Sequence, residues 1–165
     1  MPVSVHVEVR ATPWDDPAAE ALRKAMDAEM RDRYEDRLEE IEALVTEPDW
    51  RSALVVEPHE AVHVAVAYAS GEPVGHAALR RLEGGDLELK RMYVASAARG
   101  TGVSTALLAA MEDAARALGA PRLVLQTGDR QPDAVRLYER AGYTRVPIFP
   151  PYERLHFSIC MAKVL

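Results

Sequence analysis

Between residues 87 and 125 the chain changes its hydrophobic period twice, and this restricts the fold more than any other feature. Leu87 to Val94 reads as a strand. Val103, Leu107, Ala110, Met111, Ala114 and Leu118 then recur at helical spacing, with Gly119 past the end as a C-cap. Leu123, Val124 and Leu125 form a short apolar run that reads as another strand. Strand, helix and strand in that order imply a parallel pair with a right-handed crossover. The segments before it read differently. Ala61 to Ala69 and Pro73 to Leu82 flank Ser70-Gly71-Glu72 as a hairpin, and Glu83-Gly84-Gly85-Asp86 turns into Leu87. The parallel pair therefore sits inside a mixed, otherwise antiparallel sheet.

The two ends complete the order β, αα, βββ, α, β, α, ββ. Val3, Val5, Val7 and Val9 alternate with polar residues as a half-buried first strand. Asp16 is a natural N-cap and Pro17 suits the first helical position. Leu22, Met26, Met30, Tyr34, Leu38, Ile41 and Val45 make an apolar stripe over two helices or one bent helix, ending before Pro48. Ala134, Leu137, Tyr138 and Ala141 share one face of a helix opened by Pro132 and closed by Gly142. Tyr143 to Ile148 and Leu155 to Val164 read as final strands around a proline-rich connection.

Composition sets the outer bounds. A chain of 165 residues is read as one domain, 1–165. With 20 Lys+Arg against 26 Asp+Glu the net charge is −6, which argues against a nucleic-acid partner. The single Cys160 excludes a disulfide framework and a cysteine-based zinc cluster, and reads as a small core residue. No spacing of His, Asp or Glu suggests a metal. No apolar run approaches the ~20 residues that span a bilayer, and Met1 to Arg10 lacks the basic-then-apolar pattern of a signal peptide. No membrane association and a cytoplasmic location are the expectations. Exposed edge strands leave a homodimer open.

Arg99-Gly100-Thr101-Gly102-Val103-Ser104 lies between a strand and a helix. Unpaired N–H groups at a helix N-terminus, reinforced by the helix dipole, suit an anion. Gly100 and Gly102 let the backbone approach a phosphate, and Arg99 adds a charged contact. The loop is not a Walker A sequence, which needs Gly-Lys-Ser/Thr, and it lacks the third glycine of the Rossmann fingerprint.

These residues resemble the GNAT N-acetyltransferase superfamily. Its loop pattern Arg/Gln-x-x-Gly-x-Gly/Ala is matched by Arg99-x-x-Gly102-x-Ser104, with serine in the last small position. The run from Ala134 to Tyr143 is similar to the family's A-x-x-L-Y-E-x-x-G-F segment, and the resemblance extends over essentially the whole chain. It implies an acyl-CoA acyltransferase α/β fold. About six to seven strands in a mixed central sheet, flanked by about four helices, would splay between the fourth and fifth strands.

The resemblance further implies acetyl-CoA as co-substrate, without a metal, and an amine on a small molecule or peptide as acceptor. Attack would be direct, in a ternary complex. The pyrophosphate would sit on Arg99, Gly100, Thr101, Gly102, Val103 and Ser104, and the pantetheine arm along the backbone of Met92, Tyr93 and Val94. Gln131, where family members often carry Asn, would be a polar contact near the cofactor. Tyr138 is the candidate that protonates the leaving thiolate. Glu88 is a candidate to take the acceptor's proton through water, the alternative being a structural carboxylate paired with Lys90 or Arg91. His76, on a neighbouring strand, is more readily a structural residue. The rival reading is a non-catalytic CoA-binding or protein-interaction domain of the same fold.

Overall fold

The computed structural model describes residues 5–165, apart from the side chains of residues 49 and 50. Seven strands form one sheet in the order β1-β2-β3-β4-β5-β7-β6. They are β1 (Val7–Ala11), β2 (Ala61–Ala69), β3 (Glu72–Arg81), β4 (Leu87–Val94), β5 (Arg122–Gly128), β6 (Thr144–Val146) and β7 (Ser158–Val164). Only β4 and β5 pair in parallel; the other neighbours are antiparallel. The first strand begins at Val7, and Val3 lies outside the described residues.

The helices are α1 (Pro17–Arg33), α2 (Leu38–Val45), α3 (Pro48–Leu54), α4 (Val103–Ala117) and α5 (Pro132–Arg140). Asp16 caps α1 as expected, accepting from the Ala18 and Ala19 amides at 3.0 Å. The apolar stripe spans two helices, divided at Tyr34 and a 3₁₀ turn, Glu35–Arg37. Five helices replace the four expected because Pro48 does not stop the chain. It occupies the first turn of α3, where a missing N–H loses nothing.

Alternation along β2 assigns the two faces. Ala65 and Ala67 pack into the main core with Leu107 and Met111 of α4 and Tyr138 of α5. Val66 packs on the other face against Ala19 and Leu22 of α1. A third cluster joins Tyr34, Leu44, Ala53, Tyr152, Phe157 and Cys160 around the connection from β6 to β7. That connection is longer than the sequence suggests. β6 stops at Val146, short of Ile148, and β7 starts at Ser158 rather than Leu155. The intervening chain folds into successive turns, Tyr152 N–H to Phe149 O, Leu155 N–H to Tyr152 O and Ser158 N–H to Leu155 O, each at 2.9 Å.

Two backbone features shape the site. Strands β4 and β5 pair only from Leu87↔Leu123 to Leu89↔Leu125, then part, although β4 runs on to Val94 and β5 to Gly128. In the same stretch β4 bulges: Lys90 pairs with Ala78 and Tyr93 with His76, so Arg91 and Met92 share one partner. Arg91 takes φ +56°, a left-handed conformation for a residue with a Cβ.

Candidate active site

A cleft of about 880 Å³ opens where β4 and β5 part. One end reaches the turn from β4 into α4. Gly102 caps α4 with φ +90° and no side-chain cap bond, and Ala106 N–H is the first amide to bond back, to Gly102 O at 3.0 Å. The amides of Val103, Ser104 and Thr105 precede it and face outward as first-turn donors. A Cβ on Gly100 or Gly102 would meet no atom within 4 Å, but their φ values of +76° and +90° favour glycine. Arg99 donates from Nε to Val94 O at 2.9 Å, and its Nη2 holds both carboxylate oxygens of Glu29 at 2.7 Å.

Of the expected contacts, Met92, Tyr93, Val94, Arg99, Gly100 and Ser104 line the cleft, as do Gln131 and Tyr138. Thr101, Gly102 and Val103 do not line it. Thr101 bonds back to Ala98 O and Val103 is buried as the first core residue of α4. Gln131 is the N-cap of α5 but makes no cap bond; its Nε2 reaches the Tyr34 hydroxyl at 3.4 Å.

Tyr138 is 5% exposed and its ring meets Tyr143 edge-on, with centroids 5.7 Å apart. Burial first, and Asp133 second, push its phenol well above the usual tyrosine range, so it carries its proton at any working pH. No described residue forms a hydrogen bond with that hydroxyl, and the residue lines the cleft.

The structure sets Glu88 and His76 elsewhere. Glu88 is fully buried and absent from the cleft wall; its Oε1 accepts from Arg80 at 3.0 Å and from the Tyr152 hydroxyl at 2.7 Å. Arg80 and Lys90 flank that oxygen, while Glu88 Oε2 has no hydrogen-bond partner. His76 is also fully buried. Its Nδ1 lies 2.9 Å from Arg91 O and its Nε2 lies 3.0 Å from Arg23 Nη1. Arg23 has no acceptor, so Nε2 is the unprotonated nitrogen and Nδ1–H donates to the bulge carbonyl. Burial and two nearby guanidinium groups hold His76 down to about 4.

Sequence reasoning missed the opposite wall. Met26, Met30, Tyr34, Leu38, Ile41 and Val45, read from the sequence only as an apolar stripe, line the cleft. It also missed the rim. Arg37 pairs with Asp129, and Arg33 with Asp133, through two hydrogen bonds each; Arg130 pairs with Asp36. These tie the corner between α1 and α2 to the turn between β5 and α5. Tyr34 rests there against Gly128, where a Cβ would lie 1.7 Å from the tyrosine hydroxyl oxygen. Lys90 is the third omission: it lines the cleft with a side chain only 11% exposed.

A parted parallel pair, a bulged strand beside it and an open helix N-terminus at one end frame the cleft. The family model for the acetyltransferase (GNAT) family matches residues 19–143. The chain belongs to the GNAT acetyltransferase family. An IAA acetyltransferase of Azospirillum brasilense is 39% identical over 105 residues, 63% of this chain and 69% of the relative. A structure from Klebsiella pneumoniae subsp. pneumoniae, assigned as an acyl-CoA N-acyltransferase, superposes with a TM-score of 0.75. It is 29% identical, over 96% of this chain and 97% of that one. A GNAT family acetyltransferase of Elizabethkingia anophelis, with acetyl-CoA bound, shares the fold at TM-score 0.67 and 14% identity, over 96% and 98%. The GNAT protein described here is therefore an acetyl-CoA-dependent acyltransferase. No described helix is long and apolar enough to cross a membrane, and no described group of three or more His, Cys, Asp or Glu is arranged to hold a metal ion.

Proposed function

We propose that this chain, acting as the single domain its length suggests, transfers the acetyl group of acetyl-CoA directly to a primary amine. The observation that carries this reading is the continuity of the cleft. It runs from the donors ahead of α4, past the free backbone of β4, to an apolar chamber on the α1–α2 side. The amides of Val103 and Ser104, together with Arg99 released from Glu29, would hold the pyrophosphate. Met92, Tyr93 and Val94 lie beyond the last β4 residue paired with β5, so on that side, apart from the Val94 carbonyl that Arg99 holds, they retain backbone groups for the amides of the pantetheine arm. A β4 amide near Tyr93 or Val94 would face the thioester oxygen.

Bound acetyl-CoA supplies an activated acyl carbon and a thiolate leaving group. Tyr138 would donate a hydrogen bond, and as charge builds its proton, to that sulfur; burial keeps the phenol protonated and so available as the donor. Direct transfer is favoured because Cys160 is 2% exposed and outside the cleft, leaving a thiol intermediate without a carrier. The test is thiol release from acetyl-CoA across a panel of primary amines with apolar bodies. IAA, which the Azospirillum relative carries in its name, is run beside the amines as a separate acceptor. Amine-dependent release is expected, and Tyr138→Phe lowers kcat about 100-fold or more with acetyl-CoA affinity kept. Tight acetyl-CoA binding without release by any amine would favour the non-catalytic reading.

A further inference from the structure

Resting on that reading, we infer that Lys90 is the group that takes the acceptor's proton. Few groups inside the cleft are free to accept a proton. Four described carboxylates line it, and each is held by arginine: Asp27 by Arg91 at 2.8 Å, Asp133 by Arg33 at 2.9 Å, Glu42 by Arg31 at 3.6 Å, and Glu29 by Arg99 at 2.7 Å and by Arg33 at 3.8 Å, so that Glu29 keeps Arg33 when Arg99 turns to the pyrophosphate. Glu88 and His76 do not reach the cleft. Lys90 does, one residue past the last β4–β5 pair, where the strands begin to part. Met92, on the thioester side, is only two residues further along the same strand.

Its surroundings fit proton exchange. Nζ donates to the Tyr152 hydroxyl at 2.7 Å and Ala53 O at 3.3 Å, and lies 3.5 Å from Glu88 Oε1. An ammonium has three N–H donors, and three acceptors surround it. The neutral amine keeps two donors, which the two shorter contacts satisfy; its lone pair takes the third position, toward Glu88 Oε1, so meeting the acceptor requires Nζ to turn from that oxygen into the cleft it lines. Charges face this nitrogen from each neighbouring element. Glu88 of β4 favours the ammonium, while Arg80 of β3 and Arg91 of β4 oppose it. Tyr152, from the β6–β7 connection, donates to Glu88 and so aims its lone pairs at Lys90. Cys160 of β7 lies near Tyr152 and Glu88, with burial keeping its thiol protonated. The result of burial and these charges is a lysine lowered to about 8.

The step balances. The acceptor nitrogen's lone pair forms the N–C bond to the thioester carbonyl carbon. The C–S bond breaks and its electrons leave on sulfur, which takes the Tyr138 proton; Tyr138 regains one from solvent, balancing the proton that Lys90 gives up there. Once bonded to carbon, the positively charged nitrogen is far more acidic than a free ammonium, so a lysine near 8 can accept its surplus proton. Lys90 then returns that proton to solvent.

Two measurements test this, one of them independent of any acceptor. Competitive labelling by acetic anhydride with mass spectrometry should give Lys90 an apparent pKa near 8, with labelling suppressed by saturating acetyl-CoA. An apparent pKa near that of exposed lysines, or no protection, would overturn the assignment. The kinetic arm uses 2-phenylethylamine as acceptor. Wild-type kcat/KM should show an acid limb near pH 8 besides the amine's own limb at higher pH. Lys90→Met should lose that limb and about 100-fold in kcat at pH 8, while Tyr152→Phe shifts it to lower pH by removing an acceptor of the ammonium. Lys90→Met that raises KM alone, with the limb in place, would make Lys90 a binding residue and end the proposal. Absence of thiol release by wild type with the whole amine panel defeats the parent reading instead, and the labelling result still decides how Lys90 ionises.

Discussion

His76 shows how much of this site depends on a residue that never meets a substrate. Its Nδ1–H holds the carbonyl of Arg91, the bulge residue with φ +56°. Its Nε2 takes a hydrogen bond from Arg23, whose guanidinium also lies 3.9 Å above the Trp14 ring centroid. Protonation at Nε2 would set an N–H against a guanidinium in a dry interior. The folded pKa is held down to about 4 against an ordinary 6.5. Between those values the unfolded chain binds a proton that the folded chain refuses, so stability rises with pH across this window and is lost as pH falls through it. The effect is ~3 kcal/mol over the full interval. Urea unfolding from pH 7 to pH 4 should show this loss. In His76→Gln, whose amide can serve both neighbours without titrating, the slope between pH 6.5 and 4 should flatten. An unchanged slope would mean that other groups govern acid sensitivity.

At the scale of elements, the sequence was legible where local chemistry decides and silent where distant segments meet. The hairpin between β2 and β3 announced itself through Ser70-Gly71, and both residues adopt positive φ, 51° and 85°, as a two-residue turn requires. The loop into α4 and the parallel pair followed from period and glycine placement, whereas the parting of that pair came only with the family resemblance. The α1–α2 stripe was found but not its destination, because periodicity marks an apolar face without saying whether side chains or a ligand will cover it. The rim pairs were invisible for a different reason: Arg37 and Asp129 are 92 residues apart. That rim makes its own prediction. Exposed ion pairs add little to global stability, yet here they join two otherwise separate elements across the cleft mouth. The double variant Asp129→Ala, Asp133→Ala should hardly move the unfolding midpoint. It should raise amide hydrogen exchange in the stretch from Tyr34 to Val45 and leave β2 and β3 unchanged. Equal exchange in that stretch would show that Tyr34 and its apolar neighbours close the rim unaided.

The molecule as a whole is two antiparallel blocks, β1 to β4 and β5 to β7, whose strands meet through three residue pairs at the base of the cleft. Helix α4 spans the junction. A pantetheine arm lying in the gap would supply bridging backbone contacts that the protein lacks, so acetyl-CoA should stabilise both blocks together rather than its own loop alone. Ligand at 100 times its Kd adds ~2.7 kcal/mol, and at about 2–4 °C per kcal/mol for a chain of this size Tm should rise by roughly 5–10 °C. The rise should track the logarithm of acetyl-CoA concentration. Gly102→Val should abolish most of it at the same concentrations. The new side chain has open space, but φ +90° is strained for valine, and any relaxation reorients the amides that open α4. A Gly102→Val protein that keeps the full shift would move the diphosphate away from this turn and with it the direction in which the arm enters the sheet.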